Sequence, residues 1–448
     1  MASAAEQLAA NINFKAFSKA EDLKKRIWFT LGVLIVYRLA TYIPLPGINP
    51  AVMAEFAQSH GGGIFGMVDM FSGGALSRMS IMALNIMPYI SASIIIQLMT
   101  AVSPQFEALK KEGESGRRKL NQYTRYLTVL IATLQSYGAA VGLEALHGAA
   151  GSAVLDPGLF FRLTTVITIV GSTLFLMWLG EQITSRGIGN GISLVIFAGI
   201  VATLPSSIIN ALELGRTGAL SYIFILFILV FSVAMIAFIV FMERAQRRIF
   251  IQYPKRQVGN KMFGGESSHL PIKLNSTGVI PPIFASSLLL LPLSLAQLSG
   301  GQGPEWLQWI LGGLQHGGAV YIGIYLFLIV FFAFFYTSIT FNPQETAENL
   351  KKNGGFIPGY RPGVNTAQYL DGVVTRLTVL GAAYLAFVCA VPEFFYAVYS
   401  LPFYLGGTTF LIAVSVPMDT VAQIHSHLLA HQYEGLLKKT RLLKGSRP

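Results

Sequence analysis

The stretch that decides the fold is GGGIFGMVDMFSGG at residues 61–74, with the apolar run SRMSIMALNIMPYISASIIIQLMTAV at 77–102 and the basic segment LKKEGESGRRK at 109–119 behind it. The first piece is too short and too rich in glycine to cross a bilayer. Non-helical backbone persists at membrane depth only where protein buries it or where it lines an aqueous cavity. The stretch therefore predicts a re-entrant element beside a pore.

The composition places the whole chain in a membrane. Of its 448 residues 53% are hydrophobic and only 12% are charged, and the mean hydropathy is +0.57. A soluble core cannot bury that much apolar surface. The single cysteine, Cys389, lies inside an apolar run and can form no intramolecular disulfide, so packing is a better interpretation than metal binding or nucleophilic chemistry.

Ten apolar segments are long enough to span, since about 20 residues cross the hydrocarbon core. The first is not a cleavable signal, because no A-x-A site follows it before PLPG at 44–47, and we expect the chain to keep its N-terminus. The predicted spans are 27–45, 79–102, 123–146, 159–180, 188–209, 220–242, 277–299, 318–340, 372–395 and 404–425.

Basic residues orient these spans. Of the 32 lysines and arginines, all but Arg38, Arg78, Arg162 and Arg216 fall at alternate ends of the spans. The positive-inside rule then puts both termini in the cytoplasm. The predicted organisation is a cytoplasmic tail (1–26), a first half (27–209), a second half (210–425) and a second cytoplasmic tail (426–448).

Two cytoplasmic arms, 243–276 and 341–371, are much longer than a turn needs and combine aromatic residues, prolines and spaced arginines. Charge asymmetry alone would make them topology signals. Their length also suits docking on an acidic protein face or on RNA phosphates. Both interpretations stay open from the residues alone.

The two halves of five spans predict an inverted repeat, because an odd number of spans turns the second half upside down. MPYISAS at 87–93 and IPPIFAS at 280–286 match in proline, isoleucine, alanine and serine, and both lie in the second span of their half. Proline-broken helices at corresponding positions point to a central pathway.

Few charged residues lie in the predicted spans, which disfavours an ion or metabolite route. Two pairs of isoleucines one helical turn apart, Ile86 with Ile90 and Ile192 with Ile196, are candidates for an apolar constriction that excludes water, although core or lipid-facing isoleucines would show the same spacing. His427 and His431 lack a third metal ligand and fit a solvated helix end. No phosphate loop, zinc motif or nucleophile elbow is present, so the chain is expected to be no enzyme, to need no cofactor and to take its energy from a partner.

Long motifs across essentially the whole chain resemble the SecY family, the pore subunits of bacterial protein translocases. They are GMVDMFSGGALSR (66–78), MPYISASIIIQLM (87–99), KKEGESGRRKLNQYTRY (110–126), RGIGNGIS (186–193), GVIPPIFASS (278–287), FNPQETAENLKKNGGFIPGYRPG (341–363) and QYEGLLKK (432–439). The resemblance implies an all-α membrane protein with ten transmembrane helices in two pseudo-symmetric inverted halves of five and a re-entrant plug helix. Such a channel opens across the bacterial inner membrane and sideways to lipid, and it binds the SecE and SecG subunits.

Residue roles follow from the same resemblance. A pore ring is implied at Ile86, Ile90, Ile192, Ile196, Ile283 and Ile412, and a plug at Gly63, Ile64, Phe65, Gly66, Met67, Val68, Asp69, Met70, Phe71, Ser72, Gly73 and Gly74. A lateral gate between spans two and three and spans seven and eight would use Gln97 and Asn275, although solvated polar residues near helix ends are an equal alternative. Lys255, Arg256 and Arg361 would dock the ribosome or the SecA motor.

Three functions are therefore compared: a passive channel for nascent or preprotein chains that recognises signal sequences and releases membrane segments to lipid, an ion-coupled transporter, and an insertase or scaffold without a through-pore. The first predicts crosslinks from a stalled polypeptide to Ile90 or Ile283. The second needs essential acidic residues in the spans, which are not evident. The third predicts that loss of plug and ring leaves ion leakage unchanged.

Overall fold

Helices dominate the computed structural model of this chain, which describes residues 20–60, 63–148, 151–218, 221–253, 256–258, 261–263, 267–298, 318–399 and 406–444. The helices are α1 Glu21–Ala40, α2 Pro50–His60, α3 Gly63–Ser72, α4 Met87–Val102, α5 Pro104–Lys111, α6 Glu114–Ala145, α7 Leu159–Arg186, α8 Gly191–Arg216, α9 Tyr222–Arg244, α10 Ile280–Leu298, α11 Ala319–Thr340, α12 Pro343–Lys352, α13 Val364–Tyr399 and α14 Gly407–Lys444.

Seven of the described helices or continuous helix pairs are long and apolar enough to cross a membrane, and the number is eight if the bent pair α4 and α5 counts as one span. The seven are α6, α7, α8, α9, α11 with α12, α13 and α14. The protein is therefore a multi-pass membrane protein. Helices α1 and α10 overlap the predicted spans 27–45 and 277–299, but neither is among these membrane-crossing helices. The total of ten transmembrane helices therefore stays a prediction.

The second predicted span begins later than its hydropathy indicates. Residues 79–86 form turns, with Met79 (φ 44°) and Asn85 (φ 48°) in the left-handed region, and α4 starts only at Met87 with Pro88 in its first turn. Proline suits that position because its missing N–H would be unpaired there anyway. At the other end α4 breaks by 98° into α5. The segment 103–122, predicted as a loop, is therefore largely helical.

The first of the two long arms, 243–276, contains strands that the all-helical expectation did not include. In the first arm β3 Gln246–Gln252 pairs antiparallel with β6 Ser267–Lys273, and within it β4 Arg256–Val258 pairs with β5 Lys261–Phe263. A shorter antiparallel pair, β1 His147–Gly148 with β2 Gly151–Ser152, follows the C-terminal end of α6. Alternation along β3 buries Ile249 and Ile251 while their neighbours stay exposed, as expected for a sheet with one covered face.

The two matched motifs occupy equivalent structural positions. Met87 and Ile280, the first residues of MPYISAS and IPPIFAS, are also the first residues of α4 and α10. The two helices contact each other, and α10 also packs on α6. The repeat inferred from sequence thus brings the two halves together at their proline-started helices.

A tight turn joins α7 to α8 and places the start of α8. A Cβ added at Gly191 would overlap the carbonyl oxygen of Gly180 and lie 2.9 Å from the Cβ of Ile183. Gly189 has φ +90°, and the Asn190 side chain caps α8 by accepting from the N–H of Ile192. The glycine run GIGNG is therefore a packing device for two crossing helices.

Gly191→Ala is expected to destabilise the protein by about 1–3 kcal/mol, because the added methyl group has no space between α7 and α8. Gly171→Ala is the matched control, since a Cβ there meets nothing within 4 Å. Thermal unfolding of the detergent-solubilised protein should show a lower Tm for the first variant and an unchanged or higher Tm for the second. Equal Tm values would contradict this account of the turn.

Candidate functional site

All six predicted ring isoleucines belong to one apolar cluster in the centre of the described structure. Ile86, Ile90, Ile196 and Ile412 are buried members, and Ile192 and Ile283 pack against them. Five of them lie in the first two turns of a helix, and Ile86 is the residue that precedes α4. The cluster therefore draws these side chains from four helix starts, those of α4, α8, α10 and α14.

Such a cluster can exclude water without binding ions. Isoleucine offers no hydrogen-bonding group, and apolar constrictions gate channels by dewetting. The β-branched side chain also has few rotamers, so a packed set of isoleucines holds its shape.

The short helix α3 contributes to the same cluster. Met70 and Phe71 are 6% and 4% exposed and belong to it, and the Thr409 hydroxyl of α14 donates to Met70 Sδ at 3.3 Å. Gly66, Val68 and Asp69 are half-buried, while the side chains of Gly63, Ile64, Phe65 and Met67 lie outside the described structure. The predicted plug thus places its C-terminal half in the same apolar cluster as the predicted ring.

Polar donors hold the C-terminal end of α3. Asn85 Nδ2 donates to the carbonyl of Phe71 at 2.6 Å, and Arg38 Nη1 donates to that of Gly73 at 2.8 Å. Tyr37 donates to the carbonyl of Ser72 over a longer 3.5 Å. The last carbonyls of a helix have no partner within it, so Asn85 and Tyr37 satisfy the carbonyls of Phe71 and Ser72 that would otherwise be buried unpaired.

The turn after α3 is bonded to α3 itself. Asp69 Oδ1 accepts from the N–H of Ser77 at 2.7 Å, and Arg78 donates to the carbonyls of Gly73 and Gly74 at 3.1 and 2.9 Å. Burial raises the pKa of the Asp69 carboxyl, and the Ser77 hydrogen bond opposes that shift. Helix and turn therefore form one folded unit.

Glycine is required at the end of the plug by conformation and by space. Gly73 and Gly74 have φ of +69° and +79°. A Cβ at Gly73 would lie 2.9 Å from the Cα of Gly199 in α8, and one at Gly199 would lie 3.0 Å from the carbonyl oxygen of Phe71. The plug end and α8 are thus in backbone contact.

Tyr37, Asn85 and the role of Arg38 were missed from the sequence, where Arg38 was noted only as one of four basic residues away from the basic span ends. An arginine inside an apolar run was the available signal, because such a residue is functional by default. Tyr42, which follows α1, contacts a second arginine: the guanidinium of Arg78 lies 4.2 Å from the centre of its ring.

The two predicted gate residues are not joined to each other. Gln97 Nε2 donates to Ser93 of its own helix at 3.2 Å. Asn275, only 4% exposed, donates to Glu243 Oε1 at 2.7 Å and to the carbonyl of Gly278 at 3.1 Å. Asn275 thus ties the end of α9 to the segment leading into α10, and among the described residues no hydrogen bond links it to Gln97.

The helices of the predicted gate do meet. Helix α10 packs against both α4 and α6. At the end of α11, Lys110 Nζ of α5 donates to the carbonyl of Ile339 at 3.3 Å. The described structure therefore has the seam between the two halves closed at α4, α6 and α10.

The two arms, 243–276 and 341–371, form a single packed unit where they are described. Gln252 and Phe356 exchange backbone hydrogen bonds of 2.9 and 3.0 Å. Ile249, Ile272, Ile357 and residues of α12 and α13 form a separate apolar cluster beneath them. The arms therefore act as one platform at the base of α9 to α13.

Arg361 lies on this platform in an exposed turn between Gly359 (φ +89°) and Gly363 (φ +111°). In the described part of the chain its side chain forms no ion pair, so its charge is free for a partner. Lys255 lies outside the described residues, and of Arg256 only the backbone in β4 is described.

Comparison with known proteins agrees with this geometry. The SecY family model matches residues 80–421. The protein translocase subunit SecY of Rickettsia felis is 54% identical over 428 residues, which cover 95% of this chain and 99% of that protein.

Two solved structures share the fold at low sequence identity. One, a SecY protein whose plug domain is described as stabilising the closed channel and maintaining a membrane seal, has a TM-score of 0.59 at 18% identity and covers 90% of this chain and 92% of that one. The other, Sec61 in a canine ribosome–channel complex, has a TM-score of 0.60 at 17% identity with the same coverage. Family model, sequence identity and fold agree, and the chain belongs to the SecY family.

Proposed function

We propose that this chain is the protein-conducting channel of a bacterial protein translocase, which passes unfolded polypeptides across the membrane and releases apolar segments sideways into lipid. The observation that carries the proposal is the convergence of α3 and six isoleucines in one apolar cluster, within a chain 54% identical to a named SecY translocase subunit.

The six isoleucines act as a gasket around the passing chain. A polypeptide presents every kind of side chain in turn, so a conduit for it must bind none of them strongly. Ile192 and Ile283 are half-buried while the other four are buried. The plug closes the outer side of this ring when no chain is present.

Lateral release follows from transfer energies. A signal sequence with about ten leucine-like residues gains roughly 3–6 kcal/mol on entering lipid, whereas each charge at the membrane centre costs about 2.5–3.5 kcal/mol. Apolar segments therefore leave between α4 and α6 on one side and α10 and α11 on the other, with Gln97 and Asn275 as polar residues at the two edges of that exit. Polar segments continue through the ring.

The energy comes from partners on the cytoplasmic side. The arm platform, with Lys255, Arg256 and Arg361, docks the SecA motor or a ribosome, and the likeness to a ribosome-bound Sec61 channel supports the second partner. SecE and SecG complete the complex in the inner membrane, with both termini cytoplasmic and two inverted halves at 27–209 and 210–425. The basic residues at alternate span ends support this orientation.

A crosslinking experiment tests the pathway. A photoreactive residue placed at Ile90 or Ile283 is expected to crosslink to a preprotein stalled in transit, because both side chains face the same cluster. The same probe at Ile167, which is 71% exposed on α7, is the control and should label lipid instead. Equal labelling of the preprotein at Ile167 would remove the support for a central pathway.

The ring is tested by ion leakage. Ile90→Ser combined with Ile196→Ser is expected to raise the resting conductance of reconstituted channels several-fold, because a hydroxyl-lined constriction wets more readily than an apolar one. Planar-bilayer recording measures this, with Ile167→Ser as the lipid-facing control. An unchanged conductance in the double variant, together with normal assembly, would argue for an insertase without a through-pore.

Arg361→Glu is expected to block motor-driven export at least about tenfold while leaving the complex assembled, since it reverses a charge in an exposed turn. Transport of a labelled preprotein into vesicles measures the effect. Arg216→Glu is the control, because it makes the same charge change at the C-terminal end of α8, where the arginine side chain is 79% exposed. This variant should export the preprotein normally. Normal export by the Arg361→Glu variant would refute the assignment of Arg361 to partner docking.

A further inference from the structure

The C-terminal end of α3 is gripped by side chains that belong to other elements. Tyr37 and Arg38 project from α1, and Asn85 lies in the turn before α4. Their bonds converge on three successive carbonyls, those of Phe71, Ser72 and Gly73. The group thus joins the plug to two other elements, α1 and the turn before α4.

Apolar contact alone does not specify where the plug sits, because it is non-directional. The hydrogen bonds are directional, and they engage the end of α3 where the helix dipole is negative. The positive guanidinium of Arg38 is therefore well placed for charge as well as for geometry. Within the described residues it has no carboxylate partner, so the plug carbonyl and the Tyr42 hydroxyl and ring are what it binds.

Asn85 is shaped for the same task. It is 2% exposed and adopts φ +48°, a left-handed conformation that asparagine tolerates better than most residues. Its single amide nitrogen donates both to the Phe71 carbonyl at 2.6 Å and to the Tyr37 hydroxyl at 3.3 Å. Its Oδ1 is buried and has no hydrogen-bond partner among the described residues. A buried amide that is half satisfied is costly, which argues that the donating half has a purpose.

We infer that Tyr37, Arg38 and Asn85 form a polar latch that holds the plug closed and must be released before a polypeptide can pass. The inference rests on the proposed function, in which α3 closes the pore. It assigns three positioning residues for gating that lie in neither ring nor plug. Opening the channel then means breaking a defined set of hydrogen bonds.

If the latch holds the plug closed, substitutions in the latch should raise ion leakage although the ring isoleucines are unchanged. Arg38→Leu and Asn85→Leu remove the donors, and losing one hydrogen bond from a charged or buried donor shifts such an equilibrium roughly tenfold. We therefore expect each variant to raise resting conductance by about that factor. Tyr37→Phe, which removes a longer bond, should have a smaller effect. Arg162→Leu is the control, because Arg162 pairs with Glu144 on another element pair, α6 and α7.

A crosslink separates gating from misfolding. Met70→Cys and Thr409→Cys, introduced into an Asn85→Leu, Cys389→Ala chain, place thiols at the contact between α3 and α14. A short bifunctional thiol reagent should pin the plug and return the conductance to the unmodified level. Persistent leakage after complete crosslinking would mean that the substitution damaged the ring or the fold, and it would overturn the latch.

Deletion of residues 63–74, measured in the same conductance assay, separates the test of the latch from the test of the proposed closing role of α3. Leakage from the deletion but not from Arg38→Leu or Asn85→Leu would refute the latch and leave the plug and channel in place. No leakage from any variant, the deletion included, would refute the proposed closing role of α3 as well. Leakage from the deletion and both latch variants, suppressed by the crosslink, is the expected result.

Discussion

The rest of the structure depends on one constraint, which is that the non-helical backbone between α3 and α4 must find hydrogen-bond partners inside an apolar protein. Part of it pairs with the segment after α1, where the Leu45 N–H donates to the carbonyl of Met79 and the Ile81 N–H to that of Ile43. Side chains of α1 and of the turn before α4 satisfy the carbonyls at the end of α3. The first helix, the plug and the start of α4 are therefore folded as one unit.

This constraint explains why charged and amide groups occur beside a cluster chosen for its lack of polarity. A hydrogen bond from a charged donor contributes about 1.5–3 kcal/mol, and a buried group left unpaired costs a similar amount. Removing the plug from Arg38 and Asn85 without a substitute is thus unfavourable. The closed arrangement is held by bonds that are either made or broken, and such elements switch between discrete states more sharply than apolar contact does.

Sequence alone predicted the parts of this molecule that hydropathy and motifs encode. Membrane class and the paired motifs at Met87 and Ile280 were evident, because apolar period and proline position are local properties. The gate contact was not, since Asn275 bonds to Glu243, 32 residues earlier, instead of to Gln97. The sheet of the arms was also missed, because β3 and β6 complete each other across the intervening segment and neither is a strong strand by itself.

Ring and plug end are built from opposite chemistries because they face different demands. The ring must seal around any side chain, which requires surfaces that form no specific bond. The plug must return to one place, which requires bonds that form in only one geometry. If water enters a widened ring, Arg38 and Asn85 can donate to water instead of to the plug carbonyls, and this exchange of hydrogen bonds costs little free energy. In the proposed channel, a polypeptide that opens the isoleucine cluster therefore also weakens the latch that we infer beside it.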